Sequence, residues 1–222
     1  MEIISTSLWT SNLTVLTDIQ SLSLNKYIKD QSYKIESRIS RFNSNSTINL
    51  LTSNDKEEFR QLIYDYFNIE SVSFDDVWSF ANYKHNGQLD LTGLTKGLFI
   101  EKLVQILTSV NSQFIINFGG DGAGFINKVV TINDGHINHI IPANSKFSYC
   151  TSVNNGIKRG NHILGDNKSR QVTLISTEFT TTYLDMMATR ICSGEQVNLR
   201  SSIRKFIYSK PADIENKIIG VY

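Results

Sequence analysis

Residues Leu89–Asp121 read LDLTGLTKGLFIEKLVQILTSVNSQFIINFGGD, and three elements follow one another there with little slack. Gln88–Leu91 predicts a short strand. Leu94–Leu107 predicts a helix, because Leu94, Leu98, Leu103 and Leu107 fall near one face, with Val104 and Ile106 widening the stripe. Phe114–Phe118 is an apolar run suited to a buried strand, and it ends on Gly119-Gly120-Asp121. Gly93 and Gly97 flank the helix start. Glycines there let a ligand or another backbone come close, and the free N–H groups of a first helical turn attract anions. Lys96 adds a positive charge at the end where the helix dipole disfavours one, so a phosphate partner is one reading of the stretch. The other reading is purely structural, since strand, glycine turn and helix occur together in many folds.

On the N-terminal side, Ile3–Leu8 and Leu13–Ile19 predict a hairpin around Thr10–Asn12. Leu24–Ile35 predicts a helix with Leu24, Tyr27, Ile28, Gln31 and Ile35 on one side. Phe42 follows in a polar loop, as a core residue or as a ring that packs on a ligand. Asn54–Phe67 predicts a second helix, capped by Asn54 or Asp55 and burying Phe59, Leu62, Ile63, Tyr66 and Phe67. Ser73-Phe74-Asp75-Asp76 supplies one helix cap and one solvated charge. Asn82–Gln88 is a polar connection, and His85 within it is expected to be solvated.

On the C-terminal side, Phe125–Ile132 and His136–Ile141 alternate apolar and polar residues about an Asn133-Asp134-Gly135 turn, predicting a hairpin. Phe147–Ser152, His162–Leu164 and Val172–Ser176 are further strands by the same criteria. Glu178–Ser193 predicts a helix, Arg200–Ile207 another short one, and Ile218–Tyr222 a terminal strand. No repeat and no clean linker interrupts the pattern, so the expectation is a single α+β domain over residues 1–222.

The chain has 222 residues, of which 40% are apolar, enough for a substantial core. A formal net charge of +1 gives no bulk attraction to nucleic acid or to an anionic membrane. Cys150 and Cys192 stand in no metal-ligand spacing and predict reduced thiols. The N-terminus carries no basic flank and no long apolar run, so neither a leader nor a membrane span is expected, and a cytoplasmic location follows.

Asp185 and Thr189, in LDMMATR, are the sharpest local feature. At i and i+4 of a helix, a carboxylate and a hydroxyl point the same way. Both are hard oxygen donors suited to Mg²⁺. The competing reading is a surface Asp and a Thr bonded back to its own turn. His162, in GNHILGD, is either a hydrogen-bonded structural residue or a general base, with a reference pKa of about 6.5. No G-x-x-x-x-G-K-[ST] loop, G-x-G-x-x-G fingerprint or G-x-S-x-G elbow is present.

Taken in order, these pieces resemble the ApbE family of FAD:protein FMN transferases over most of the chain. SRFNSNSTINLL (Ser40–Leu51) is similar to the family's S-x-[FY]-x-x-x-S segment. LDLTGLTKG (Leu89–Gly97) is similar to its D-L-G-G-x-A-K-G, and NFGGD (Asn117–Asp121) to its N-x-G-G-D. Thr151-Ser152, His162-Ile163 and DMMAT (Asp185–Thr189) resemble its T-S-G, H-I-x-D-P and D-A-x-A-T. The resemblance implies a compact α+β domain of mainly antiparallel sheets with packed helices, related to the T-fold. It implies a reaction in which a Ser or Thr hydroxyl of an acceptor flavoprotein attacks the FMN-side phosphorus of FAD and AMP leaves, with Mg²⁺ neutralising pyrophosphate charge. Asp185, Thr189 and the carbonyl of Gly93 match the Mg²⁺-ligand positions. Asp90, Lys96, Phe42, Leu164 and Ser73, Phe74 and Asp75 match cofactor-contacting ones, and His162 matches the base. Gly119-Gly120-Asp121 shapes the pocket without an assigned contact.

The chain departs from the family pattern in three places. After His162-Ile163-Leu164 comes Gly165 where the family has Asp, and the Pro-Thr-Gly loop is gone. Val153 replaces the glycine of T-S-G, and Leu8-Trp9-Thr10 replaces M-G-T. The last of these lies near the flavin, yet metal and FAD binding survive the changes more comfortably than transfer does, because the resemblance places recognition of the target hydroxyl near His162. Two alternatives therefore stand beside transfer: an FAD pyrophosphatase giving FMN and AMP, and a non-catalytic FAD-binding protein.

Overall fold

The computed structural model describes residues 1–9, 11–19, 21–40, 43–67, 72–82, 88–110, 112–154, 169–212 and 220–221. β1 (Glu2–Leu8) and β2 (Ser11–Thr17) form the N-terminal hairpin. β3 (Phe114–Phe118) pairs with β2, setting Val15 opposite Ile116, and continues into β4 (Asp121–Ile126), β7 (Ser145–Asn154), β8 (Arg170–Ser176) and β9 (Arg204–Tyr208). The result is a seven-stranded sheet in the order β1-β2-β3-β4-β7-β8-β9, every neighbour antiparallel. β5 (Val130–Asn133), β6 (Asn138–Ile141) and β10 (Gly220–Val221) make a separate three-stranded sheet. The helices are α1 (Ser21–Ile39), α2 (Lys56–Phe67), α3 (Phe74–Ala81), α4 (Thr95–Ser109) and α5 (Thr181–Cys192). This is the expected α+β class with mainly antiparallel strands. Among the described residues no helix is long and apolar enough to cross a membrane.

The period of two explains the layering. In β3, Phe114, Ile116 and Phe118 join the core shared with α1, α2, α4 and α5, while Ile115 joins the second core, with Val130, Ile132 and Ile141 of the small sheet. β7 splits the same way: Cys150 faces the helices, and Phe147 and Tyr149 face the small sheet. A strand buried on both faces reads as a continuous apolar run, as FIINF does. Each fully buried Leu or Ile of these cores contributes about 1.5–3 kcal/mol from removed water contact.

α4 and α5 pack backbone against backbone. A Cβ on Gly97 would stand 2.9 Å from Thr182 Cα and 3.2 Å from both Thr182 N and Asp185 Oδ2. Only a glycine permits that separation. One turn on, Glu101 of α4 accepts a short hydrogen bond from Thr182 of α5. Leu98, Leu103 and Leu107 fill the buried stripe as their spacing predicts.

Several local expectations are corrected. Gln88–Leu91 is not a strand: Gln88 makes an isolated bridge to Thr52, and Leu91 already closes the turn into α4 by accepting the N–H of Leu94 at 2.8 Å. Phe125 and Ile126 belong to β4, because the chain turns at 127–129 before the hairpin arm begins at Val130. Arg200–Ile207 is not a helix. Arg204–Tyr208 adds to the open edge of β8, with Ile207 opposite Val172, so sheet pairing overrides local propensity. Ser73–Asp76 opens α3, whose N-cap is Ser73. α5 starts at Thr181 rather than Glu178, because Thr180 accepts the N–H of Tyr183 as its cap. The strand expected at His162–Leu164, and His85, lie outside the described residues.

The small sheet is tied to β9 through a buried carboxylate. Asp134 Oδ1 accepts the backbone N–H groups of His136 and Ile137 at 2.9 Å. Its Oδ2 meets His139 Nε2 at 2.9 Å and the Tyr208 hydroxyl at 2.8 Å. Burial alone would raise this carboxyl. The donors from Ile137, His139, His136 and Tyr208 outweigh burial and hold it well below the usual carboxylate range.

Two predictions follow from this packing. Gly97→Ala forces α4 away from α5 and lowers stability by about 1–3 kcal/mol in a denaturant titration; an unchanged midpoint would show that the two helices separate freely. Because the folded pKa of Asp134 is depressed, its contribution is complete above the unfolded value of about 3.9 and is lost as pH falls below it. Melting temperatures taken from about pH 5 down to pH 2 should therefore fall less steeply for Asp134→Asn than for the unaltered chain. Parallel curves would remove Asp134 from the acid response.

Candidate active site

The first turn of α4, the middle of α5 and the adjoining ends of β4 and β7 enclose one polar cluster in the helix-side core. Asp185 and Thr189 lie one turn apart on α5 and are both buried. Asp185 Oδ1 receives the Cys150 thiol at 3.5 Å, whereas its Oδ2 is fully buried with no hydrogen-bond partner. Thr189 Oγ1 lies 3.3 Å from Ser152 Oγ on β7. Gly93, just before α4, faces the same turn: a Cβ there would stand 3.6 Å from Thr189 Cγ2 and 3.1 Å from Phe80 Cζ.

Asp121 arrives from the opposite wall. Gly119 and Gly120 take φ of 59° and 99°, a tight reversal that brings the first residue of β4 back beside α4. Asp121 Oδ1 accepts the backbone N–H of Thr151 at 3.1 Å, and its Oδ2 lies 2.5 Å from Lys96 Nζ. Lys96 also reaches the Gly119 carbonyl at 3.5 Å, and its side chain stays 29% exposed at the rim.

The electrostatics follow from two carboxylates and one ammonium sharing a small volume. Burial pushes Asp185 up to about 8, and the charge of Asp121 pushes the same way; Lys96 opposes both without cancelling them. Burial works against the charge on Lys96, yet Asp121 and Asp185 outweigh it and hold the ammonium well above its ordinary value. Burial, then Asp121 and Asp185, push the Cys150 thiol well up. Lys96 is committed to Asp121; the Gly97 N–H favours the charged form of Asp185, but Asp185 Oδ2 makes no well-formed hydrogen bond. An orphaned buried carboxylate oxygen beside a hydroxyl and a glycine loop is a donor set that suits a hard divalent cation.

The structure thus brings together Gly93, Lys96, Asp185 and Thr189, as their positions in the sequence suggest. Asp90 is buried three residues before Gly93, where its Oδ1 accepts the Thr92 N–H at 2.7 Å and its own N–H donates to Ala81 at 3.0 Å. Ser73, Phe74 and Asp75 sit at the start of α3 and contact α2. Ser73 caps α3, Phe74 packs beside Phe59 and Trp78 under the Arg60 guanidinium, and Asp75 pairs with Lys56 at 2.9 Å. The other end of α3 reaches the cluster through Phe80. Phe42, His162 and Leu164 lie outside the described residues.

Sequence reasoning missed Cys150 as a member of the cluster, and it set Asp121 at the pocket without a contact. For Asp121 the signal was its place directly after two glycines. For Cys150 the signal was strand alternation, which sets it on the same face as Ser152.

No protein-family model matches the sequence, and no curated protein matches it. Solved structures do. The chain is similar to the apo flavinyl transferase ApbE of Pseudomonas stutzeri, with a TM-score of 0.60 at 10% identity, covering 93% of this chain and 94% of that one. It is similar to the flavin transferase ApbE of Vibrio cholerae, with a TM-score of 0.57 at 12% identity over 93% and 96% of the two chains. The ApbE protein of Thermotoga maritima gives 0.56 at 15% identity over 85% of each. The antiparallel sheet and its helix layer therefore have the fold of the ApbE flavin transferases.

Proposed function

We propose that this chain, acting as one unit over residues 1–222, is a Mg²⁺-dependent FAD:protein FMN transferase. The observation that carries the reading is the buried, unsatisfied oxygen of Asp185, set against Thr189 and the glycine-flanked start of α4 in a chain with this fold. Asp185, Thr189 and the Gly93 carbonyl would hold the metal. Bound there, Mg²⁺ supplies charge neutralisation to the pyrophosphate.

The chain's own residues do the rest. Lys96, partly exposed at the rim, presents a positive charge to the phosphates of FAD. The Asp121 carboxylate fixes the Lys96 ammonium in place, and the Thr151 N–H fixes Asp121. Asp90 holds the loop that carries Gly93. Phe42, Ser73, Phe74, Asp75, Asp90 and Leu164 are assigned to contacts with FAD, and His162 to the proton of the acceptor hydroxyl. That hydroxyl, from a Ser or Thr of an acceptor flavoprotein, attacks the FMN-side phosphorus, and AMP departs with the bridging oxygen. The absence of the family's Asp and Pro-Thr-Gly loop after His162 supports a second reading, in which water replaces the acceptor and FMN is released free. A cytoplasmic setting, with neither nucleic acid nor a membrane as partner, fits the near-neutral charge.

The test is mass spectrometry of a flavin-acceptor domain incubated with the protein, FAD and Mg²⁺, with AMP followed in parallel. Transfer gives an FMN-sized mass gain and equimolar AMP; AMP without the gain indicates hydrolysis. Asp185→Ala should lower either activity by at least about 100-fold, since several kcal/mol of charge stabilisation goes with the metal; full activity would reject the metal assignment. His162→Ala should cost about 10²–10⁴-fold in transfer as the loss of a general base, and an unaltered rate would return His162 to a structural role.

A further inference from the structure

The cluster contains a donor that a hard-cation site does not need. Cys150 Sγ, a carboxylate oxygen of Asp121 and one of Asp185 all lie within 4.8 Å of one another, and all three residues are buried. The Sγ to Asp185 Oδ1 separation is 3.5 Å. Two ligands on one tetrahedral zinc ion, at about 2.3 Å for sulfur and about 2.1 Å for oxygen, stand about 3.6 Å apart. The spacing matches two ligands on a shared metal, and it also accommodates an ordinary thiol-to-carboxylate hydrogen bond. The other oxygen of Asp185, Oδ2, is buried without a well-formed hydrogen bond and lies on the Gly97 side of the cluster. Asp121 has spare capacity. A carboxylate offers about four lone-pair directions, and Thr151 and Lys96 occupy one on each oxygen.

We infer that Asp121, Cys150 and Asp185 form a binding site for a thiophilic divalent cation, of which Zn²⁺ and Cd²⁺ are representatives. Sulfur discriminates: thiolate selects soft and borderline cations, whereas Mg²⁺ keeps to oxygen donors. Binding forms one metal–sulfur bond, and the Cys150 proton leaves to buffer with no change in oxidation state. Because Asp185 also belongs to the oxygen set with Thr189 and Gly93, a cation on Cys150 excludes Mg²⁺. That exclusion rests on the transferase reading, whereas the binding site itself does not.

The test uses the full chain without flavin or acceptor, so its outcome is separate from that of the transfer assay. Metal-free protein is titrated with Cd²⁺ while the ultraviolet thiolate-to-cadmium charge-transfer band is followed. The band should saturate near one equivalent in the unaltered chain and in Cys192→Ala, and be absent in Cys150→Ala. Asp185→Asn should keep the band but weaken affinity by at least about tenfold. Independently of any substitution, the Zn²⁺ X-ray absorption spectrum of the unaltered chain should show one sulfur among oxygen or nitrogen ligands. That measurement decides the matter should Cys150→Ala fail to fold. A shell without sulfur, a band that survives in Cys150→Ala, a band lost in Cys192→Ala, or an affinity indifferent to Asp185→Asn would each overturn the site.

Discussion

The distance between α4 and α5 governs the rest of the site. At Gly97 the two backbones come so near that a single methyl group would reach the α-carbon of Thr182. This contact fixes which face of α5 looks at the start of α4, and so aims Asp185 and Thr189 at Gly93 and Lys96 rather than at solvent. The Glu101–Thr182 bond one turn further on holds the rotation as well as the separation. A polar cluster in a hydrophobic layer needs such rigidity, because a carboxylate displaced into an apolar gap loses partners that nothing else replaces.

The second constraint is charge. Among the described residues, Asp121 and Asp185 share one low-dielectric volume with the Lys96 ammonium, which pairs with Asp121. The imbalance falls on Asp185, whose carboxyl is driven upward by burial and by its neighbour. The proposed cation sites both centre on this carboxylate, and they differ in the additional donors they would engage. Thr189 and the Gly93 carbonyl offer oxygen. Cys150 offers sulfur. Sharing one carboxylate, the two proposed sites would make hard and soft cations rivals.

Much of this was legible in the sequence because it rests on local pattern. The i, i+4 spacing of Asp185 and Thr189 and the glycines around Lys96 survive into the structure as contacts, since helix periodicity alone sets them on one face. The α4 stripe and the FIINF strand were readable for the same reason. What was not legible depends on tertiary pairing. RKFIY becomes a strand only because β8 leaves an open edge beside it, and nothing within Arg200–Ile207 encodes that edge. Gln88–Leu91 looked like a strand from composition, yet only Gln88 finds a partner. Asp121 and Cys150 are separated by a whole hairpin in the chain and meet through the β4–β7 register, which aligns Gly122 with Tyr149.

The Asp134 network has a further consequence, for the order in which the molecule is made. Its hairpin is complete at Ile141, but the carboxylate it buries gains its last donor only from Tyr208, 74 residues after Asp134. β5 likewise waits for Gly220 and Val221 to supply its outer strand. A chain emerging from the ribosome N-terminus first exposes the small sheet long before either partner exists. The second core must therefore close late, only after Tyr208 and Val221 have been made. Until then one apolar face of the central sheet stays open to whatever chaperone or neighbouring nascent chain meets it.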